Sequence, residues 1–377
     1  MHNQTETPVP DAVTDVTFEQ PNIIGHRTVV VPKLTEGDFF VKTLYSGISA
    51  GTELTFFLGT NPKTNEGWDE THRLFRSDMT PDANELYPML KGYMQVGTVV
   101  ASKNPTIQVG DIIGGKYGHT TGHRMTNDDF WIVLPKTIDP IVGIWVPYVG
   151  PLCMNGILYA ADDLMRKELK TLKGSLKNQR ILVFGAGIAG ILTGLFAQWA
   201  GAAEVGIVDG IPERLDIAKQ LHFKPFLAKP TLPLDVKKHW ATNDPLDTGA
   251  DIAFQCTGSD FLLQQAFACM REQGVVIDMG FYQQGAGQVQ FGKEFHHNRL
   301  RHLCAQIGAM PRHQAHQWDR VRLAHETITF LQEHGDFLKQ HLITHVLPFS
   351  KAQEAYDHLA ERDPKMLQVV LRPDNVG

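Results

Sequence analysis

The sequence predicts an α/β protein in which a doubly wound parallel sheet is joined to a smaller β-rich domain. Three observations carry this. Residues 181–209 read strand, glycine turn, helix, strand. From Val149 on, short apolar runs alternate with stretches of helical spacing. The first 149 residues instead hold short β-rich runs separated by Gly, Pro and Asp turns.

The 181–209 stretch organises the rest. Ile181-Leu182-Val183-Phe184 is the apolar run a buried parallel strand needs. Gly185, Gly187 and Gly190 follow in the spacing G-x-G-x-x-G, and Ile188, Ile191, Leu192, Leu195 and Phe196 then recur at helical spacing. Such a strand-to-helix turn suits a pyrophosphate. Gly185 permits the tight turn, Gly187 leaves the backbone bare for close approach, and Gly190 lets helix and strand pack. The N–H groups opening the helix, over Ile188, Ala189 and Gly190, aim a partial positive charge at the phosphates. A second strand over 204–208 delivers Asp209 about twenty positions past the last glycine. A carboxylate there accepts from both hydroxyls of an adenosine ribose and repels a 2′-phosphate, so NAD is expected over NADP. Five glycines between Gly185 and Gly201 argue against reading this apolar run as a membrane span.

The flanking elements follow in order. Strands are expected over 26–32, 39–44, 97–101 and 130–134, with a long polar and aromatic loop across 56–91 that carries Trp68, Asp69 and Arg73. Beyond Asp209 come a helix over 212–222 opened by proline, strands over 225–228 and 251–256, and a helix over 261–271. Strands over 275–278 and 303–310 make six in one sheet. Ligands lie at the carboxyl ends of such strands, so the turns at Thr257 and Gly280 should flank the dinucleotide. A helix over 321–334, a strand over 343–347, a helix over 351–361 and a strand over 367–371 complete the chain.

The bulk composition narrows the partners. A chain of 377 residues has room for two cores, and 42% hydrophobic with 20% charged residues fits a globular protein. Net charge is −6 and the 35 basic residues form no block, which argues against nucleic acid or an anionic membrane as partner. The start is polar and lacks a signal-peptide core. Four scattered cysteines build no disulfide framework and suit a cytoplasmic location.

Four segments together resemble the medium-chain dehydrogenase/reductase superfamily, over nearly the whole chain. They are VKTLYSGISAGTE ending at Glu53, GYMQVGTV starting at Gly92, the GAGIAG turn with Asp209, and the ending ITHVLPFSKAQEAYDHLAERDPKMLQVVLRP. The resemblance implies a GroES-like substrate domain over 1–149, a Rossmann NAD-binding domain over 150–312, and a segment over 313–377 that returns to the first. It also implies that Arg214 helps to hold the ribose, and that the strand over 303–310 extends the sheet across a homodimer axis.

Zinc-dependent members of that family polarise the substrate oxygen with a metal held by Cys, His and carboxylate. At the corresponding positions this chain has Ser49, Tyr93-Met94 and Gly150. None is a good zinc ligand, and the four-cysteine structural loop is missing. The expectation is a zinc-free member of the branch with GISAGTE and GY motifs.

Without a metal, something else must stabilise the alkoxide and move a proton. Tyr93 is the first candidate, occupying a former ligand position. Ser49 either bonds substrate or caps its turn. His119 and His296 are candidate proton shuttles, and the i, i+4 pair His119 and His123 is a weak alternative metal site. Lys91 is placed to lend charge beside Tyr93, and Trp68 either stacks on a sugar face or anchors its loop. The resulting expectation is an NAD-linked alcohol or polyol dehydrogenase acting on a small polar molecule. An NADPH-dependent quinone or enone reductase and a non-catalytic dinucleotide-binding protein are the alternatives.

Overall fold

A computed structural model describes residues 8–374. They form two units, one of residues 8–148 with 331–374, the other of residues 149–330.

The first unit is β-rich. Its strands begin with β1 (Ala12–Gln20), β2 (Ile23–Val30) and β3 (Phe39–Gly47), followed by helix α1 (Ala50–Phe57). The 58–91 loop carries a small hairpin, β4 (Gly67–Asp69) with β5 (Leu74–Arg76), and ends in β6 (Met89–Leu90). Then come β7 (Gln95–Ser102), β8 (Ile112–Gly115), β9 (Gly122–Met125), β10 (Trp131–Val133) and the short α2 (Pro140–Gly143). β3 reads Phe-Phe-Val at its start with all three side chains buried, because it is an inner strand paired with β7 on one side and β9 over part of its length.

The second unit opens with α3 (Val149–Met165). It continues β11 (Arg180–Phe184), α4 (Ile188–Trp199), β12 (Glu204–Asp209), α5 (Pro212–Gln220), β13 (Lys224–Leu227) and α6 (Leu232–His239). β14 (Ala250–Gln255), α7 (Asp260–Cys269), β15 (Met270–Asp278), α8 (Glu294–His297) and β16 (Arg301–Cys304) complete its sheet. All six strands are parallel, in the order β13-β12-β11-β14-β15-β16, so the order reverses at β11 beside β14. This is the doubly wound Rossmann arrangement, which places a crevice at that switch point. Val183 and Phe184 of β11 and Ile207 and Val208 of β12 are fully buried, as strands covered on both faces must be.

Helix α9 (Arg320–Leu342) runs through the boundary between the units, and β17 (Ile343–Pro348), α10 (Ala352–Ala360) and β18 (Gln368–Arg372) belong to the first. There β18 is an interior strand, parallel to β17 and antiparallel to β3.

Several expectations on extent need correction: the helix over 321–334 runs on to Leu342, and the strand over 275–278 begins at Met270. The last sheet strand covers 301–304, not 303–310. Past Cys304 the backbone turns away, and the buried Asn155 amide donates to the carbonyls of Ala305, Gln306 and Ala309 at 3.2–3.5 Å. The helix over 261–271 ends at Cys269, where Met270 already pairs with Ala250 in the sheet. Residues 313–330 stay with the second unit, because Gln314 bonds Asp162 (2.7 Å) and the Trp318 indole bonds the Leu169 carbonyl (2.7 Å). Among the described residues no helix is long and apolar enough to cross a membrane.

Candidate active site

In the second unit the glycine turn has the shape its spacing implies. Gly185 holds φ at +103°, in the left-handed region. A Cβ on Gly190 would sit 1.8 Å from the Gly185 carbonyl oxygen, whereas a Cβ on Gly187 would meet nothing within 4 Å. One glycine is therefore needed for packing and the other leaves open space beside the start of α4. Here the first-turn N–H groups of Ile188, Ala189 and Gly190 have no acceptor within the helix.

Asp209 ends β12 and turns its carboxylate back to the glycine turn. One oxygen accepts from the Ala186 N–H (2.7 Å), the other from the Ile211 N–H (2.9 Å). Both oxygens keep a further lone pair, the capacity two ribose hydroxyls need. Arg214, in the first turn of α5, has a buried Nε without a partner. The turns after β14 and β15 press backbone to backbone, since a Cβ on Gly280 would lie 2.0 Å from the Thr257 carbonyl oxygen. The residues present fit a dinucleotide: bare backbone for the pyrophosphate, a fixed carboxylate for the ribose, and in the helix that follows an orphaned guanidinium nitrogen.

The first unit holds a second group, made of side chains. Ser49 is the N-cap of α1, but its hydroxyl makes no capping bond. It instead accepts from the Tyr93 hydroxyl at 2.5 Å. Glu53, one turn into α1 and 1% exposed, takes the Ser49 N–H on one oxygen (3.0 Å). Its other oxygen faces His119 Nε2 (2.8 Å) and the Tyr356 hydroxyl. His119 is fully buried, and its Nδ1 lies 2.6 Å from Ser46 Oγ, which also accepts from the Gln95 amide (2.9 Å). Gly92, at φ +117°, lets these groups approach, because a Cβ there would lie 2.8 Å from Gln95 Nε2 and 3.0 Å from the His119 backbone nitrogen.

Burial pushes the Glu53 carboxyl up, but His119 and the bonds from His119, Tyr356 and the Ser49 N–H outweigh it and hold it below the usual range. Burial, the Glu53 charge and nearby Tyr148 all push the Tyr93 phenol far up. Tyr93 is thus a hydrogen-bond donor at neutral pH, not a base. Its ring packs on Tyr148 with centroids 4.2 Å apart.

The other candidates stand apart from this group. Lys91 bonds Glu85 (2.6 Å) and lies 4.1 Å over the Phe56 ring, away from any role beside Tyr93. Trp68 packs edge-on against Phe75 (4.9 Å) with the Arg73 guanidinium over it. Asp69 is filled by bonds from Thr71, His72 and Arg76. Those contacts account for Trp68 as a loop anchor. His123 stacks on Tyr117 and does not converge with His119. His296, at the end of the four-residue α8, is exposed with its ring against His297. Glu53, Ser46, Gln95, Tyr148 and Tyr356 are the residues sequence reasoning did not single out. A Glu inside an otherwise uncharged run (GISAGTELTFF) was the available signal.

The sequence matches the family model for zinc-binding dehydrogenases over residues 189–313. It is 25% identical to the D-guloside 3-dehydrogenase of Shigella flexneri over 86% of this chain and 89% of that protein. It is 24% identical to sorbitol dehydrogenase 1 of Saccharomyces cerevisiae over 67% of this chain and 64% of that protein. The fold matches the crystal structure of 2R,3R-butanediol dehydrogenase from Bacillus subtilis with a TM-score of 0.72, at 18% identity, covering 96% of this chain and 100% of that one. In sequence over the 189–313 region and in fold, the chain is similar to the medium-chain dehydrogenases/reductases. It is an alcohol dehydrogenase-like oxidoreductase, and one solved structure of the same fold, a putative zinc-binding dehydrogenase from Sinorhizobium meliloti 1021 (TM-score 0.69, 19% identity, covering 97% of this chain and 100% of that one), is bound to NADP.

The family also implies zinc, and here the donors do not fit it. At the ligand positions stand a serine hydroxyl already bonded to a phenol, a Met94 thioether fully buried against the Gly47 backbone, and Gly150, which has no side chain. Burial pushes the Cys153 thiol up to about 12 and the Cys256 thiol higher, so neither offers a thiolate at neutral pH. Among the described residues no group of three His, Cys, Asp or Glu side chains is arranged to hold a metal.

Proposed function

We propose that this dehydrogenase is NAD-linked, interconverts a hydroxyl and a carbonyl on a sugar- or polyol-like substrate, and does so without catalytic zinc. The observation that carries the reading is the 2.5 Å hydrogen bond from Tyr93 to Ser49, whose hydroxyl is free of capping duty. Bound NAD accepts the hydride in oxidation, NADH returns it in reduction, and the proton of the substrate hydroxyl passes to, or comes from, solvent water. The Ser49 hydroxyl, polarised by Tyr93, donates to the substrate oxygen and stabilises charge as it develops there. Because Tyr93 keeps its proton, the pair works as an electrostatic clamp in place of a Lewis acid. Asp209 supports NAD over NADP: a carboxylate at the end of this strand accepts from ribose hydroxyls and would repel a 2′-phosphate. The substrate class rests on the guloside and sorbitol dehydrogenases among the relatives. Cytoplasmic location and a homodimer belong to the same proposal.

The test is a panel of sugars, polyols and simple alcohols assayed by NAD and NADP reduction, beside quinones and enones assayed by NADPH oxidation. Metal content is measured after dialysis. NAD reduction by a sugar or polyol, by protein without stoichiometric zinc, is the expected result. The Tyr93→Phe variant should lose about 100- to 1,000-fold in kcat while binding NAD normally, the loss typical of one oxyanion donor. One zinc per chain, or a Tyr93→Phe enzyme with unchanged turnover, defeats the reading.

A further inference from the structure

Glu53 and His119 are an acid and a base sealed from water, 1% and 0% exposed. Burying such a pair yields little net stability, and apolar residues of similar volume commonly do as well. Here every polar atom of the group has a partner, and the pattern has a direction. Gln95 Nε2 donates to Ser46 Oγ, Ser46 Oγ–H can donate to His119 Nδ1, and His119 Nε2–H donates to Glu53. Tyr356, packed between Phe18 (5.1 Å) and Phe57 (5.4 Å), adds its hydroxyl to the same Glu53 oxygen. The remaining Glu53 oxygen has one partner, the N–H of Ser49. All of these bonds therefore converge on the backbone of the one residue that holds the Tyr93 hydroxyl.

An N-cap serine ordinarily turns its hydroxyl inward to accept from the second or third N–H of its helix. Ser49 does not. With its N–H tied to Glu53, its backbone takes φ −94° and ψ 83°, and the hydroxyl is left to Tyr93.

We propose that Glu53, braced by His119 and Tyr356, is a positioning residue for the reaction: it fixes the Ser49 backbone so that the Ser49 hydroxyl serves Tyr93 and the substrate oxygen instead of capping α1. This rests on the function proposed above and adds to it a group that never touches substrate. It also gives His119 a supporting role in place of proton shuttling.

The test is a double-mutant cycle on kcat with the panel member that the wild type turns over fastest. Tyr356→Phe removes one hydroxyl and keeps the ring between Phe18 and Phe57, so folding is preserved. The expected result is a fall in kcat of about tenfold with KM and NAD affinity near wild type, and almost no further fall when Tyr356→Phe is added to Tyr93→Phe. A merely structural Tyr356 would lower the melting temperature and leave kcat alone. Wild-type kcat in Tyr356→Phe, or the same factor in both backgrounds, overturns the positioning role while the parent function stands. Wild-type kcat in Tyr93→Phe overturns the parent function, and the positioning role falls with it. A crystal structure of Glu53→Ala gives a readout independent of turnover. The Tyr93–Ser49 oxygens should separate beyond 3.5 Å, and an intact contact refutes the proposal.

Discussion

The glycine turn and the Ser49–Tyr93 group are built by opposite means. The first is made of backbone: its glycines lie within six residues, and its carboxylate bonds a main-chain N–H only 23 positions away. The second is made of side chains gathered across the chain, at separations of 44, 66, 73 and 303 residues. A backbone site asks only that certain positions lack a Cβ. A side-chain site asks every partner to supply the right donor or acceptor, so removing one strands the others.

Four substitutions put that contrast at risk. The largest effect is expected for Glu53→Ala, which takes the shared acceptor from the buried Tyr356 hydroxyl, His119 and the Ser49 N–H and leaves His119 Nε2 only the Tyr356 oxygen, 3.1 Å away. A loss of about 3–5 kcal/mol in urea unfolding is expected, and a loss under about 1 kcal/mol would mean that the members do not depend on one another. Gly190→Ala comes next. Its methyl meets a carbonyl oxygen at 1.8 Å, so about 1–3 kcal/mol of stability should go, together with measurable NAD binding in calorimetry. Retained affinity would show that the turn tolerates a Cβ. Asp209→Gly should weaken NAD by about 10- to 100-fold and narrow its advantage over NADP, and cost about 1 kcal/mol in unfolding because the buried Ala186 N–H loses its acceptor. An unchanged cofactor ratio removes the ribose assignment.

The smallest effect sharpens the comparison from within the nucleotide unit, which has its own long-range side-chain cluster. Asp251 bonds Arg180 (3.0 Å) and Arg271 (2.5 Å) across the end of the sheet opposite the glycine turn. Burial pushes its carboxyl up, but bonds from Arg180 and Arg271 hold it below its ordinary 3.8. A carboxyl lowered in the folded state adds stability above its unfolded pKa, and that contribution is lost as pH falls through the folded value. Asp251→Asn should therefore cost about 1 kcal/mol at pH 7 and progressively less below pH 4, with NAD binding untouched. A pH-independent cost would mean that the ion pairs contribute nothing.

The same contrast explains what was legible in the sequence. The six-stranded sheet followed from apolar runs and glycine spacing, because parallel strands buried on both faces leave a local signature. Asp209 and the three glycines were legible for the same reason. Tyr356 was not, since nothing local distinguishes an aromatic on the buried face of α10 from ordinary packing. Lys91 and Trp68 looked like substrate contacts because their loop is polar and aromatic. Their actual partners, Glu85, Phe56, Phe75 and Arg73, come from the same loop and were in view, but composition does not say which pairs form. The strand over 303–310 was drawn too long because Ala305–Ala309 is apolar enough to continue it, and only the Asn155 amide, about 150 residues earlier, shows why it bends.

β18 lies inside its sheet, with Val370 and Leu371 opposite Gly47 and Ser46. On a ribosome adding about 5–20 residues per second, β3 must wait on the order of tens of seconds for that neighbour. During translation the nascent first unit therefore exposes an unpaired inner strand, and Glu53 lacks its tyrosine, while the nucleotide unit is completed in one uninterrupted pass. The half of the enzyme that begins first finishes last, which makes it the half that a chaperone has most reason to hold.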